Sequence, residues 1–464
     1  MLPPLRQTEH ACIVISSSTD TLQLSSAAST TPDHRSFSLF TMHISIPVTE
    51  DLVDTLGGRY VLYSVYLDGF ILFKVRYKDL HFWDEQMQNI LGSRRLTFPP
   101  KYYLVMTKSM AEDRRILLEQ YLQKVVSDPV ISSSEIFITY LKKLQLETFN
   151  MPSVNVILKI FLPDGRQVNI DCKTSDSAER VLEAALYKLN LSRELVEYFS
   201  LFITHKDTKG IYSVVKRVAP FEIPFITIWN INNDLFQIDI RKWYMTPSTD
   251  AMLMGCTSAI DLLYVQAVQE FEMNWSRPTE QQRITLKELI TTDNKVKFLE
   301  LMQQVEHYSY QKLDPGLTDH LGANTVVTVS VGKSELYCLF QTTDKKTENL
   351  RLHISKVICW NVRFQEQEKD LDQQEFRFEY TDGDVLKWIT IKTNQAFLLS
   401  TWLKKMLSEQ PVTCTKGNLE IQDNRTSASM FTRKQKKVDV PEKKDFSFSH
   451  IRNSDSLEMS DCDL

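Results

Sequence analysis

Two Asp-Gly pairs place the strongest limit on the possible folds of this chain. Each pair lies between two runs of alternating apolar residues. Asp68-Gly69 divides YVLYSVYL from FILFKVRY, and Asp164-Gly165 divides VNVILKIFLP from RQVNIDC. Asp-Gly readily takes the positive φ angles of a two-residue hairpin turn, so each pair of runs predicts an antiparallel β-hairpin. A helical pattern follows each hairpin, which indicates two successive α+β units.

Three helices are predicted after the first hairpin. The first has apolar residues at helical spacing, namely Leu80, Trp83, Met87 and Ile90. The second is predicted to begin at Ser109, because Ser109 and Glu112 have the spacing of a capping box. The third follows the break at Asp128-Pro129. Strands followed by helices predict a compact domain that ends near residue 148.

The pattern changes twice more along the chain. A capped helix in SDSAERVLEAALYKLNL follows the second hairpin, and hairpin then helix is the opening of a ubiquitin-like fold. From about 250 to 312 the apolar spacing is helical. From about 325 five β-rich runs return and are closed by the amphipathic helix QAFLLSTWLKKML. Several strands capped by one C-terminal helix predict a PH or phosphotyrosine-binding (PTB) type β-sandwich.

These changes of pattern predict an α+β multi-domain protein. The predicted segments are a disordered N-terminal extension (1-41), a first domain (42-150), a ubiquitin-like lobe (151-242), a helical lobe (243-315), a PH-like lobe (316-410) and a disordered, acidic-ended tail (411-464). The two terminal segments are polar and lack sustained apolar periodicity, so neither is expected to form a core.

Composition restricts the function classes. The formal net charge of -5 argues against a nucleic-acid binder, because phosphate-driven affinity needs a basic face. The seven cysteines contain no CxxC pair, so no disulfide framework or zinc site is expected and a cytosolic setting fits. No apolar run reaches the ~18 residues of a membrane-spanning helix. The nine histidines form no HExxH, and a Gly-rich phosphate loop is also lacking, so we expect no catalytic residues, metal or cofactor.

Basic residues occupy unusual positions in the first domain. Strand alternation places Arg76 on the face opposite Phe73 and Tyr77. Lys101 follows a Pro-Pro pair that stiffens its loop. Arg114 shares the apolar side of its helix and lies in the predicted first turn, where a side-chain cation opposes the helix dipole.

Two interpretations of these cations remain open on spacing alone. In the first, Arg76, Lys101 and Arg114 converge on a phosphorylated headgroup, because guanidinium groups match phosphate oxygens, and Tyr77 stacks beneath the ring. In the second, each cation pairs on a solvated face with a neighbouring carboxylate, namely Asp79, Glu112 or Asp113.

The next loop, KYYLVMTK, is unusually apolar for a segment beside a basic site. Its candidate membrane-inserting residues are Tyr103, Leu104, Val105 and Met106. They would enter a bilayer interface while the cations hold the headgroup. The alternative is that the loop packs on its own domain.

The blocks Val75-Arg76-Tyr77 with its preceding cation, FPPK and EDRRILLEQYL resemble the three signature blocks of a phox-homology (PX) domain. This resemblance implies binding of phosphatidylinositol 3-phosphate. The residues it assigns to the lipid are Arg76, Tyr77, Lys101 and Arg114, with Arg115 as a helper. Lys78 stands where the family usually has a serine that touches the 3-phosphate, and a lysine also contacts phosphate.

The order of a PX domain, a ubiquitin-like lobe, a helical lobe and a PTB-like lobe resembles the PX-FERM sorting nexins from Met42 onward. It implies lobes F1, F2 and F3 of an atypical FERM module. It also implies a cargo adaptor, peripheral on early and recycling endosome membranes, that binds NPxY or NxxY motifs in receptor tails and recycles cargo away from lysosomal degradation.

The implied peptide groove lies between the strand KVICWNV and the final helix of the PH-like lobe, where an extended peptide adds to a sheet edge. We expect Trp360 to be its central anchor, with Leu407 and Leu403 on the helix. The alternative for Trp360 is a plain core position, since tryptophan is often simply buried.

The terminal DCDL resembles the acidic, leucine-ending tail through which this branch docks on a Retriever-type recycling complex. It assigns that contact to Asp461, Asp463 and Leu464, with Cys462 in place of an acidic residue. Two other FERM roles are alternatives. A membrane-cytoskeleton linker would need a long helical region and a basic end, whereas this tail is short and ends acidic. A small-GTPase effector scaffold would use the ubiquitin-like lobe, and no particular residue favours it.

Overall fold

A computed structural model describes residues 13–14, 42–91, 96–101, 107–208, 210–364, 374–383 and 385–410 of the chain. The described strands are, in chain order, β1 (Ile13–Val14), β2 (Ile44–Val53), β3 (Arg59–Leu67), β4 (Phe70–Arg76), β5 (Asn155–Phe161), β6 (Gln167–Lys173), β7 (Phe199–Lys206), β8 (Tyr212–Arg217), β9 (Phe236–Lys242), β10 (Gln311–Lys312), β11 (Gly316–Thr318), β12 (Thr325–Gly332), β13 (Glu335–Gln341), β14 (Thr347–His353), β15 (Val357–Phe364), β16 (Gln374–Asp382) and β17 (Val385–Lys392). The described helices are α1 (Tyr77–Leu91), α2 (Lys108–Ser127), α3 (Pro129–Ser132), α4 (Glu135–Thr148), α5 (Ala178–Lys188), α6 (Pro224–Ile231), α7 (Thr249–Leu253), α8 (Thr257–Glu272), α9 (Glu280–Thr291), α10 (Lys295–Met302) and α11 (Ala396–Ser408).

The first domain is a three-stranded antiparallel sheet, β2-β3-β4, covered by α1 to α4. Asp68 and Gly69 form the turn between β3 and β4 with φ angles of 50° and 85°, which confirms the predicted hairpin. The core combines sheet residues with helix residues, among them Tyr63, Val65, Trp83, Leu118 and Phe137.

One detail of the hairpin was not predicted. Pairing runs regularly from the turn to Tyr66 opposite Ile71, and then shifts by one residue so that Val65 lies opposite Phe73. The extra residue is Leu72, and it is buried together with Phe73. This β-bulge sets the register of the strand end, so Arg76 lies opposite Leu62.

The ubiquitin-like lobe is a five-stranded sheet in the order β6-β5-β9-β7-β8, with α5 packed on it. The predicted turn at Asp164-Gly165 is confirmed, and Gly165 has a φ of 84°. Helices α7 to α10 form the helical lobe and share one apolar core with this sheet. A buried carboxylate, Asp250, fixes that junction by accepting hydrogen bonds from the hydroxyls of Tyr244 and Tyr308.

The PH-like lobe contains the path β1-β15-β16-β17-β11-β12-β13-β14, with β10 paired to β12 and α11 packed across the sheet. The five predicted β-rich runs and the final helix are all present. Strand β14 was missed because its sequence, TENLRLH, is polar and mostly exposed. The N-terminal extension was predicted to be disordered, which is wrong for Ile13–Val14, because these residues form β1 beside β15. The remainder of the extension and the tail from 411 lie outside the described residues.

The start of α2 also differs from prediction. The helix begins at Lys108 after Thr107, whose hydroxyl accepts the backbone N–H of Met110, so the capping box at Ser109 is wrong. Arg114 therefore lies in the second turn, and the argument from the first-turn dipole does not apply. It is nonetheless on the buried side, since Arg114 is 7% exposed.

The first domain docks on two of the lobes. Gln145 of α4 accepts the backbone N–H of Ile223 at 2.9 Å and donates to the carbonyl of Phe221 at 3.1 Å. The Phe221 side chain packs in the core of the first domain. Lys404 of α11 donates to the carbonyl of Met42 at 3.4 Å, so the docking also includes the PH-like lobe.

Charged groups are buried where these three units meet. The Asp68 carboxylate accepts the backbone N–H of His43 at 2.8 Å. Lys216 and Glu222 form a buried ion pair at 2.7 Å, and the Lys216 ammonium lies 5.0 Å from the ring centroid of Phe70. Burial raises the pKa of Asp68 to about 6, an effect that the nearby Lys216 partly offsets. The hairpin turn is therefore coupled to the lobes by electrostatics as well as by packing.

We predict that the free energy of unfolding of Asp68→Asn increases relative to that of wild type as the pH rises. The folded chain keeps the Asp68 proton up to about pH 6, whereas the unfolded chain loses it near 3.8, so wild type loses stability between these values and the neutral amide does not. The difference in free energy of unfolding should grow by about 2–3 kcal/mol between pH 4 and pH 7. Urea denaturation of both chains at the two pH values measures this.

The matched control is Asp344→Asn, which removes an exposed carboxylate from the turn between β13 and β14. Because this side chain is exposed, the effect of Asp344→Asn on the free energy of unfolding should be similar at the two pH values. An Asp68→Asn difference that is the same at both pH values would contradict the buried, raised carboxyl group.

Candidate functional site

Arg76 ends the strand that the bulge has shifted. Its guanidinium lies 3.8 Å from the ring centroid of Tyr60, which is two residues along β3 from its cross-strand partner Leu62. The side chain is half-buried. A cation–π contact of this kind restricts where the guanidinium can lie before any anion binds. Sequence reasoning did not assign Tyr60 a role, because the bulge that determines its proximity to Arg76 is not visible in the pattern.

Tyr77 connects the three blocks that the sequence singled out. It opens α1 directly after Arg76 and is 6% exposed. Its hydroxyl donates to the carbonyl of Pro99 at 2.8 Å, and the guanidinium of Arg114 lies 4.3 Å from its ring centroid. The strand end, the proline loop and α2 therefore meet at one tyrosine. Because Arg114 covers the ring, stacking of Tyr77 under a headgroup would require Arg114 to move.

The two predicted lysines lie at the rim of this junction. Lys78 is the second residue of α1 and is exposed, and Lys101 is exposed two residues after Pro99. Both can reach a ligand without being desolvated in advance. The predicted membrane-inserting residues Tyr103, Leu104, Val105 and Met106 lie outside the described residues.

Arg115, the predicted lipid helper, contacts the sheet and two neighbouring carboxylates. Its Nη1 donates to the carbonyl of Ile46 at 2.8 Å and contacts Glu119 at 3.2 Å, while its Nη2 contacts Glu112 at 2.6 Å. Consecutive helix residues point about 100° apart, so Arg114 faces Tyr77 while Arg115 faces β2. Arg115 therefore attaches α2 to the sheet, and its assignment as a lipid helper stays a prediction.

The carboxylate alternative is also clarified by these contacts. Glu112, one of the three acidic residues proposed to neutralise the cations, is engaged by Arg115. A separate ion pair joins Lys74 to Glu50 at 2.5 Å. The guanidinium groups of Arg76 and Arg114 lie over the rings of Tyr60 and Tyr77.

The second candidate site lies on the PH-like lobe, where β15 and α11 meet. Strand β16 pairs with one side of β15, and the other side holds only the two-residue β1 among the residues that the structure describes. Helix α11 packs against the face of β15 and β16. An edge strand beside a helix is the arrangement to which an extended peptide can add.

The predicted anchors of this groove lie at different depths. Trp360 is 1% exposed, and its indole N–H donates to the hydroxyl of Ser400 at 2.9 Å. Leu403 is fully buried, whereas Leu407 is half-buried at the end of the same helix face. Trp360 and Leu403 therefore lie in the core of the lobe, where they would form only the floor of the predicted groove, and Leu407 is the predicted anchor with accessible surface.

Ser400 was missed by sequence reasoning although a signal existed. Ser400, Leu403 and Leu407 recur at helical spacing, so a polar residue shares the face that packs on β15. A hydroxyl on an otherwise apolar face indicates a buried partner, and Trp360 is that partner. The bond fixes the indole orientation beneath the strand edge.

Other kinds of site receive no support within the described ranges. No three or more His, Cys, Asp or Glu side chains gather in a way that could hold a metal ion there. Among the described helices, none combines the length and the apolar composition that crossing a bilayer requires.

Comparisons with known proteins agree with this architecture. Family models match at residues 71–144 (PX domain), 156–245 (Sorting nexin 17/27/31, FERM domain, F1 lobe) and 309–411 (Sorting Nexin 17 FERM C-terminal domain). Sorting nexin-31 of Xenopus laevis is 57% identical over 84% of this chain and 91% of its own. Human sorting nexin-31 is 42% identical over 90% and 94%, and human sorting nexin-17 is 33% identical over 82% and 83%. The prediction of a PX domain followed by FERM lobes is confirmed.

We predict that Arg115→Gln destabilises the first domain without acting on ligand directly. The change leaves the half-buried Glu119 and the carbonyl of Ile46 without their cationic partner, which should cost about 2–4 kcal/mol. Thermal unfolding of the full chain measures the loss. Lys143→Gln, which breaks an exposed pair with Glu147, is the matched control and should cost under about 1 kcal/mol. Unchanged stability together with lost lipid binding in Arg115→Gln would support the predicted role of Arg115 as a lipid helper.

Proposed function

The chain belongs to the PX-FERM sorting nexins, and we propose that it sorts cargo by binding phosphatidylinositol 3-phosphate with its PX domain and NPxY or NxxY motifs with its PH-like lobe. Membership makes it an endosomal sorting adaptor with a lipid-binding domain. The proposal adds the identity of the lipid, the class of peptide and the residues that hold each. Its outcome is recycling of transmembrane cargo away from lysosomal degradation.

The meeting of three chain segments at Tyr77 is the observation that supports the proposed lipid binding. Arg76 directly precedes Tyr77 in the chain, Arg114 lies over its buried ring, and the proline loop before Lys101 accepts the hydrogen bond of its hydroxyl. Cations held in advance lose less conformational entropy on binding a phosphorylated headgroup. Guanidinium groups also match phosphate oxygens in geometry, which favours Arg76 and Arg114 as the direct contacts.

Helix α1 adds a second attraction for phosphate. It begins at Tyr77, so its free N–H groups lie directly after Arg76, and the N-terminus of a helix favours an anion. Lys78 on the first turn adds charge, whereas Asp79 beside it opposes an anion. This balance favours a phosphate held by Arg76 over one placed further along the helix.

The peptide half depends on the edge of β15. Backbone groups of a peptide would pair with the strand, while its side chains would contact α11 above the floor formed by Trp360 and Leu403. Because the indole is fixed by Ser400, the floor is rigid, and a rigid floor favours selection by shape. Leu407 is then the contact on which peptide affinity depends most.

Two further parts of the proposal follow from membership and from the sequence. Phosphoinositide binding would keep the protein peripheral on early and recycling endosome membranes. The Asp461, Asp463 and Leu464 ending would dock on a Retriever-type recycling complex, because a carboxylate next to an apolar side chain suits a single pocket. These three residues lie outside the described part of the chain.

We predict that Arg76→Ala and Arg114→Ala each weaken binding to vesicles that contain phosphatidylinositol 3-phosphate by about 10–100-fold. The estimate corresponds to losing charge-assisted hydrogen bonds to a phosphate. Co-sedimentation with vesicles that carry one phosphoinositide at a time measures both affinity and preference. Lys74→Ala is the matched control, because Lys74 lies on the same strand face but pairs with Glu50. Equal loss in the control would mean that general charge, not this site, binds the membrane.

We predict that Leu407→Ala weakens binding of a synthetic NPxY peptide by about tenfold or more, as expected for a partly exposed anchor. Isothermal titration with the peptide and with its Tyr→Ala version measures the loss and its specificity. Leu386→Ala is the matched control, because it removes the same side chain from an exposed position on β17 of the same lobe. Undiminished affinity in Leu407→Ala would exclude the α11 face as the groove.

A further inference from the structure

The edge of β15 is already partly occupied by the chain itself. Strand β1 pairs with it antiparallel, with Ile13 opposite Trp360 and Val14 opposite Cys359. An exposed sheet edge presents unpaired N–H and C=O groups, and proteins commonly cover such edges. Here the covering strand lies at the residue that was expected to anchor a peptide.

Met42 and His43, at the start of the first domain, lie against the helix that borders this edge. Lys404 of α11 donates a hydrogen bond to the carbonyl of Met42 at 3.4 Å. The ring of His43 lies 5.1 Å from that of Phe397 on the same helix. Helix α11 also contacts β15 through the bond between Ser400 and Trp360. Met42 therefore lies against the helix that borders the proposed peptide groove.

The length of chain between the two points permits the pairing. Residues 15–41 separate Val14 from Met42. At a maximum of about 3.3–3.6 Å per residue, a segment of this length can span more than the width of a small domain. Because the connection is covalent, the pairing is intramolecular, and the local concentration of β1 at the edge does not depend on the protein concentration.

We propose that β1 (Ile13–Val14) competes with cargo peptide for the β15 edge and so lowers the apparent affinity of the groove. This inference rests on the proposed function, since it concerns regulation of the same peptide site. The peptide must displace β1 before its backbone can pair with β15. Apparent affinity then falls by the fraction of molecules in which the edge is open.

The test uses the full-length chain with Val14→Pro, because proline has no N–H and disrupts strand pairing. Ala27→Pro is the matched control, since it places a proline in the same N-terminal segment away from β1. Hydrogen exchange at Cys359–Asn361 reports the pairing without any ligand. Titration with a synthetic NPxY peptide reports the competition.

We expect faster exchange at Cys359–Asn361 and about two- to tenfold tighter peptide binding in Val14→Pro than in wild type or Ala27→Pro. Equal exchange in all three chains would overturn the pairing. Faster exchange with unchanged peptide affinity would overturn the competition and leave the peptide site intact. If no chain binds the peptide, the proposed peptide function itself fails, and the exchange data separate that result from the others.

Discussion

The docking of the hairpin turn at Asp68-Gly69 against α11 is the contact on which both candidate sites depend. The turn ends the strand pair that carries Arg76, and α11 carries Leu407. The approach is close, because a Cβ atom on Gly69 would lie 3.0 Å from the ring of Phe397. Gly69 is therefore required twice, once for its positive φ and once for this contact. The two candidate sites are consequently parts of one packed body.

Helix α11 is the element that most directly links the domains. One side stacks Trp402 on Phe202 of the ubiquitin-like lobe, with ring centroids 5.6 Å apart. Another side contacts both Met42, through Lys404, and β15, through Ser400, which lie one turn apart on the helix. At its end, Glu409 accepts the backbone N–H groups of Met245 and Thr246 at 2.8 and 2.9 Å. A change in any of these contacts should displace side chains at the predicted groove, since a close-packed interior transmits displacement.

The neighbouring arginines of α2 show how one helix serves binding and stability together. Arg114 lies on the ring of Tyr77, whereas Arg115 contacts two carboxylates and a carbonyl. Arg115 on the sheet side lets the helix hold its position, while Arg114 faces the proposed lipid site. This division of roles explains why a pair of adjacent cations does not simply add charge to one site.

The sequence by itself determined the local elements and their order, because hairpin turns and helical spacing are encoded by adjacent residues. Asp68-Gly69, Asp164-Gly165 and the face that contains Trp83 were all predictable in this way. Only the tertiary structure decided the bulge at Leu72, the partners of Arg115 and the placement of β1 on β15. Those features depend on residues far apart in the chain, whose pairing follows from packing and long-range hydrogen bonds that no local pattern records.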